Sequence, residues 1–234
     1  MTEQKSPWLL LLMGPNGAGK STFYNNYLKM DPLLKDIPFL NTDIVAAKKS
    51  ASQNPDIKTL LLSGIEVHKQ IQQNLQERKS FIYETTGAGR LALKLMGQAK
   101  EQGFQVATIF IGLSKVELSH LRVRQRYAQG GHHVDDKDIE RRFPRIMENL
   151  PEIIRNSDLS TVFDNSGKKP FEILCMTYDE KNFMVSNHAW LDKILNAEKD
   201  SLPPQVNLYR NLKKQDAAQI AFWLGTRFNS FFQR

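Results

Sequence analysis

From Trp8 to Met13 every position is apolar, and the run ends at Gly14. A strand apolar on both faces is the mark of a parallel sheet covered by helices on each side. Shorter β-like runs at 37–41, 79–84, 104–112 and 160–163 are separated by segments of helical spacing. That alternation predicts an α/β fold with a five-stranded parallel sheet and helices on both faces. In 56–77, Ile57, Leu61, Ile65, His68 and Leu75 fall on one stripe of a helix. Segment 90–102 reads as a helix stopped by Gly103, and 115–128 and 136–149 as two helices joined by Gly130-Gly131-His132-His133.

Beyond Asp164-Asn165-Ser166-Gly167 the chain is expected to turn back through Pro170 into a hairpin strand, Phe171–Thr177, on the sheet edge. From about 178 the pattern changes to a helix at 188–197, a Pro203-Pro204 break and an amphipathic helix near 215–230. We therefore expect a main domain over 1–177, with a lid at about 115–149, and a helical extension over 178–234. The extension carries Phe222, Trp223, Phe228, Phe231 and Phe232. Docking on the main domain would cover these rings, since large exposed apolar patches are uncommon; a partner-binding tail is the alternative.

Composition narrows the class. A 41% apolar and 24% charged chain of 234 residues is an ordinary globular composition. No apolar run approaches the roughly 18 residues of a membrane span. Cys175 is the only cysteine, so no intrachain disulfide can form; a reducing compartment fits, and the cytoplasm is the expected location. A net charge of +7 and a pI near 9.4 favour acidic partners such as nucleotides and phosphorylated substrates, or simply solubility.

The chemistry is concentrated after the first strand. Gly14-Pro15-Asn16-Gly17-Ala18-Gly19-Lys20-Ser21 matches G-x-x-x-x-G-K-[ST], with Thr22 following and a helix expected over 21–29. Between a strand and a helix, such a loop wraps phosphate with backbone N–H groups, and the helix N-terminus adds partial positive charge. Gly14, Asn16, Gly17, Ala18, Gly19, Lys20, Ser21 and Thr22 are thus the expected nucleotide-binding residues. Lys20 would reach the β- and γ-phosphates of ATP and Ser21 would ligate Mg²⁺.

The remaining motifs separate the P-loop classes. Asp164–Gly167 fits D-x-x-G but stands after the last parallel strand, and 211–216 only approximates N-K-x-D, which argues against a GTPase. A small-molecule kinase fits better. Asn41-Thr42-Asp43 ends the second strand, where ligands of open α/β sheets bind. Asp43 suits two roles there: a base for an attacking hydroxyl, or the N-cap of a helix starting at Ile44. Glu84-Thr85-Thr86-Gly87-Ala88-Gly89-Arg90 ends the third strand. Glu84 suits either a metal-bound water or a substrate hydroxyl. Arg122 and Arg126 share a face of the first lid helix, Arg124 points elsewhere, and Arg141 and Arg142 follow the hinge. Guanidinium groups there would neutralise a transferring phosphoryl group; surface pairing with Asp135, Asp136, Asp138 and Glu140 is the bland alternative. His132 and His133 lack metal-ligand spacing.

GPNGAGKSTF, the NTD of 41–43, ETTGAGR at 84–90, RVRQRYAQGGHHV, and the arginines 141–142 together resemble the zeta-toxin family of P-loop kinases over about residues 8–166. The resemblance implies a nucleoside-monophosphate-kinase-like fold and an ATP- and Mg²⁺-dependent transfer to a small-molecule hydroxyl, UDP-N-acetylglucosamine in the family's toxins. It implies Asp43 as base and Lys20 and Ser21 on ATP·Mg²⁺. Glu84 and Thr86 fall at the substrate, with Asn41, Arg90 and Arg122 beside them. Arg126 and Arg141 or Arg142 fall at the phosphoryl group, and an antitoxin protein becomes a possible partner. Two other readings predict different behaviour. A polynucleotide or RNA kinase would bind oligonucleotides with steep salt dependence, although the chain shows no aromatic stacking motif of the usual kind. A non-catalytic ATP-binding switch would need neither Asp43 nor the lid arginines.

Overall fold

The computed structural model describes residues 6–50, 55–131, 134–168, 170–178, 181–184 and 188–196. The expected helix at 215–230 and the His132-His133 pair lie outside the described residues. Strand β1 (Trp8–Met13) occupies the middle of the sheet, between β3 (Phe81–Thr85) and β4 (Gln105–Gly112). Outside these lie β2 (Phe39–Leu40) and β5 (Leu159–Asp164), all five strands being parallel. The hairpin strand β6 (Glu172–Tyr178) joins β5 antiparallel, and β7 (Lys181–Met184) extends the edge, giving the order β2-β3-β1-β4-β5-β6-β7.

This is the expected α/β architecture, with two departures. The second strand keeps only two residues in the ladder, although the Pro38 carbonyl still accepts from Ile82 N. Strand β7 replaces the start of the helical extension. Four residues on a sheet edge owe their shape to the ladder with β6, so they carry no period of their own.

The helices follow their strands: α1 (Lys20–Phe23), α2 (Thr42–Lys49), α3 (Ile57–Gln76), α4 (Leu91–Glu101), α5 (Val116–Ala128), α6 (Asp136–Asn156) and α7 (Ala189–Asn196). Alternating β1 side chains feed two core layers. Leu9, Leu11 and Met13 pack with Val67, Ile71, Leu95, Leu150 and Leu191 of the helices on one face. Leu10 and Leu12 pack with Phe23, Leu28, Phe163 and Phe171 on the other. Each such aliphatic side chain contributes about 1.5–3 kcal/mol when fully buried. A parallel strand with nothing polar on either face can exist only between two such layers.

Three helices differ from expectation. The helix after the loop keeps α geometry only to Phe23 and then widens into a π-helical turn, Tyr24–Leu28. The wider turn lets Phe23 and Tyr27 face Phe171, with Phe23 also meeting Phe163. On α3 the apolar stripe read from sequence points outward: Ile57 is 78% and Leu61 64% exposed. The buried stripe is Ser63, Val67, Ile71 and Leu75, so only Leu75 of the expected five is in the core. Finally, α6 runs on to Asn156 through Pro144 and Pro151. Two internal prolines each remove a helical hydrogen bond, but Ile139, Ile146, Leu150, Ile153 and Ile154 on one buried face hold the helix together.

Candidate active site

At the carboxyl ends of β1, β2 and β3 the chain leaves a cavity of about 560 Å³, a size suited to a small-molecule ligand. The loop supplies Asn16, Gly17, Gly19, Lys20, Ser21 and Thr22; the end of β2 supplies Asn41, Thr42 and Asp43. Tyr83, Glu84, Thr85 and Thr86 come from β3 and its exit, and Arg122, Gln125, Arg126, Gln129 and Arg142 from helices α5 and α6.

The loop backbone explains its glycines. Gly14 sits at φ 138°, and a Cβ there would overlap the Ile111 carbonyl oxygen of β4. Gly17 sits at φ 73°, and its missing Cβ would lie 3.1 Å from both Arg122 Cβ and the Ser119 carbonyl. Both positions combine a left-handed or mirror conformation with close approach, which no L side chain tolerates without strain. Gly14 and Ala18 support the loop from behind: Gly14 O accepts from Lys20 Nζ at 2.9 Å, and Ala18 O from Asn165 Nδ2 at 2.8 Å. Lys20 also bonds Pro15 O at 3.1 Å, so its ammonium is bridged across the loop.

Lys20 and Glu84 face each other at 4.0 Å, and Ser21 Oγ donates to Glu84 at 3.5 Å. Burial pushes the Lys20 ammonium below its ordinary range, against the opposing pull of Glu84 and Asp43. Burial likewise pushes the Glu84 carboxyl up, against Lys20 and the hydrogen bonds from Asn41 and Ser21. Desolvation is the larger cause for both. Their mutual attraction does not compensate for the lost water.

The start of α2 takes the cap role away from Asp43. Asn41, not Asp43, is the N-cap: its extended backbone (φ −145°, ψ 124°) places Oδ1 3.0 Å from Ile44 N. Asp43 stands one residue inside the helix start, its carboxylate free of cap duty and close enough to act on the charge of Lys20. Asn41 remains at the cavity wall through its amide, with its carbonyl oxygen already committed.

Two expected site residues are elsewhere. Arg90 makes a bidentate pair with Glu152 of α6, at 2.6 and 3.0 Å, and does not line the cavity. Arg141 pairs with Asp138 at 2.6 Å and is likewise off the cavity, whereas Arg142, held by the other Asp138 oxygen at 3.0 Å, lines it. Arg124 pairs with Asp136. Gln125, Gln129 and Tyr83 line the cavity and were not singled out in the sequence. The two glutamines were legible in principle, since Arg122, Gln125, Arg126 and Gln129 are spaced i, i+3, i+4, i+7 on one helix face.

The sequence pattern of the AAA domain family matches residues 9–145, more than half of the chain. An uncharacterized protein of Haemophilus influenzae is 28% identical over 133 residues, covering 56% of this chain and 88% of that one. Among solved structures, the AvrRxo1-ORF1:-ORF2 complex with ATP is similar at a TM-score of 0.59 and 14% identity, over 76% of this chain. This chain spans 60% of the length of that protein. The PezAT toxin–antitoxin system of Streptococcus pneumoniae gives a TM-score of 0.52 at 17% identity, covering 70% of this chain and 69% of that one. The Pnkp1/Rnl/Hen1 RNA repair complex gives 0.51 at 19% identity, covering 64% and 47%. At these identities the likeness is one of fold. The chain belongs to the AAA domain family, with the fold of a P-loop kinase.

Proposed function

We propose that the protein is an ATP-dependent kinase that phosphorylates a hydroxyl of a small molecule, with UDP-N-acetylglucosamine as the first acceptor to test. The observation that carries the reading is the convergence of Lys20, Ser21, Asp43, Arg126 and Arg142 on one cavity. A module that only binds nucleotide has no use for a carboxylate and guanidinium groups gathered opposite its phosphate loop.

The residues present fit ATP and Mg²⁺. The loop is a glycine-lined cradle in which any side chain at Gly14 would collide with β4. The Ser21 hydroxyl and Glu84 carboxylate are adjacent hard oxygen donors of the kind that suits Mg²⁺. When bound, Mg²⁺ supplies charge neutralisation to the β- and γ-phosphate oxygens. In the proposed reaction Asp43 orients the acceptor hydroxyl and accepts its proton as that oxygen bonds the γ-phosphorus. The bond from the γ-phosphorus to the β–γ bridging oxygen breaks, and ADP leaves with the electron pair. Lys20, Arg126 and Arg142 neutralise the equatorial oxygens during the transfer. Arg122, Gln125 and Gln129 complete a polar wall against which an acceptor is held, and Thr86 with Asn41 offers further donors below it.

The combination of GPNGAGKSTF, NTD, ETTGAGR and the lid arginines supports a zeta-toxin-like activity in particular. The S. pneumoniae neighbour is described as part of a toxin–antitoxin system. By that likeness a neutralising protein partner is part of the proposal. The test is transfer from γ-labelled ATP, with Mg²⁺, to a panel of sugar nucleotides, nucleosides and oligonucleotides. Label in a sugar nucleotide is the expected result. Label in an oligonucleotide would replace the acceptor class, and label remaining in ATP across the panel would overturn the kinase reading.

A further inference from the structure

Helix α5 presents two faces with different partners. Arg122, Gln125, Arg126 and Gln129 line the cavity. His120 and Arg124, four residues apart, lie on roughly the opposite side, since two residues turn a helix by about 200°. They meet the first turn of α6. His120 Nδ1 is 2.8 Å from Asp136 Oδ1, and His120 Nε2 is 3.8 Å from Glu140 Oε1. Arg124 donates to the other oxygen of Asp136 at 2.5 Å. Next to His120, Ser119 Oγ donates to Asn16 O of the phosphate loop at 2.5 Å. Helix α5 is thereby fixed to the loop at one point and to α6 at another, and α6 carries Arg142 into the same cavity.

We propose that the His120–Asp136 contact is a positioning tie that sets the spacing between the Arg122/Arg126 wall of α5 and Arg142 of α6. The inference rests on the kinase reading, because the spacing matters only if these arginines meet a transferring phosphoryl group. Asp136 is held ionised: the hydrogen bond from Arg124, then that from His120, keeps its carboxyl below the usual range. His120 sits between two carboxylates of α6, hydrogen-bonded to Asp136 at 2.8 Å with Glu140 at 3.8 Å. The charged groups facing it from α6 are Asp136 and Glu140, and Arg124 on its own helix shares Asp136.

The experiment compares wild type, His120→Gln and Asp136→Asn. Gln keeps one donor, and Asn removes the anion that His120 and Arg124 share. Three quantities are read: acceptor-phosphorylation kcat and KM, the ratio of ATP to ADP affinity by calorimetry, and melting temperature. Asp136→Asn weakens one or two charge-assisted hydrogen bonds, and its kcat is expected to fall about three- to tenfold. Its acceptor KM should stay within twofold of wild type, with a smaller preference for ATP over ADP. His120→Gln, whose one donor is neutral, should show the same changes to a smaller extent. A wild-type kcat and ATP/ADP ratio in His120→Gln, or a change confined to melting temperature in Asp136→Asn, would overturn the tie. If wild type phosphorylates no acceptor, the kinase reading fails, while the ATP/ADP ratio still judges the tie.

Discussion

Replacing Asp43 by Asn removes a carboxylate while keeping the shape of the side chain, and the structure allows the effects on chemistry and stability to be separated. Asp43 is not the cap of α2; Asn41 fills that role through Ile44 N. Loss of the Asp43 charge therefore forfeits its interaction with the helix N-terminus, about 0.3–1 kcal/mol, and its pull on Lys20. Its influence on Lys20 is smaller than those of burial and of Glu84, so the loop lysine keeps its principal partners. ATP affinity in the variant is expected to stay within a few-fold of wild type. Turnover is another matter, because a positioned general base typically contributes about 10²- to 10⁴-fold. That corresponds to about 3–5 kcal/mol of transition-state stabilisation, several times the expected stability change.

The assay is label transfer from γ-labelled ATP to the acceptor found in the panel, with ATP binding measured by calorimetry and folding by thermal melt. Asn41→Ala is the informative partner. It should lose about 0.5–2 kcal/mol of stability with the cap, without a comparable selective loss of kcat. Turnover of Asp43→Asn within threefold of wild type would refute the base assignment. A large loss of melting temperature in the same variant would refute the claim that Asp43 is free of structural duty.

Adjacent arginines give a second comparison: Arg142→Ala should lower kcat by about 10³-fold or more if it meets the phosphoryl group, as arginines in that role do. Arg141→Ala, losing one exposed pair with Asp138, should change kcat and melting temperature little. Glu84→Gln should lose activity while gaining stability at neutral pH. The sign follows from burial: the folded pKa lies above the unfolded value of about 4.5, so the native state holds more protons in that window and stability falls as pH rises through it. Removing the titrating group should abolish that slope in pH-dependent melting, and an unchanged slope would show that Glu84 is not its source. Gly14→Ala should fold poorly or lose ATP binding, because φ 138° and the Ile111 carbonyl both oppose a Cβ; a variant with wild-type melting temperature and ATP affinity would refute the cradle geometry.

The parts of this fold that could be read from sequence are those where backbone geometry admits few residue types. The phosphate loop is one, since positive φ and close approach demand Gly14 and Gly17; the doubly apolar β1 is another. The parts that could not be read depend on tertiary partners. Arg90 looked like a ligand-facing residue because its partner, Glu152, is remote in sequence. Arg141 and Arg142 differ by one residue and therefore by about 100° of helix phase, which only the packing of α6 decides. The cap of α2 turned on a boundary shift of two residues between neighbouring cap formers. On α3 the apolar residues occupy two sides of the helix. Its buried side includes Ser63, whose hydroxyl is satisfied by Thr59 O at 2.7 Å, so hydropathy alone favoured the wrong stripe.

The same dependence on partners explains why the cavity contradicts ordinary rules of stability. Four cationic side chains, Lys20, Arg122, Arg126 and Arg142, line it against two carboxylates, Asp43 and Glu84. Burial drives both Lys20 and Glu84 toward their neutral forms, so without a ligand the site is an electrostatic cost to the fold. A core residue chosen for stability would not be charged at these positions, since an apolar replacement for a buried pair is often neutral or stabilising. The unfavourable arrangement becomes favourable when a polyanion enters, because the excess positive charge and the exposed loop N–H groups then meet phosphate oxygens in place of water. The sheet makes this possible: five parallel strands direct their carboxyl ends to one side, so the loop, Asp43 and the end of β3 are delivered to one rim by the backbone itself. Only the arginines need a separate device to reach it, and that device is the α5–α6 helix pair.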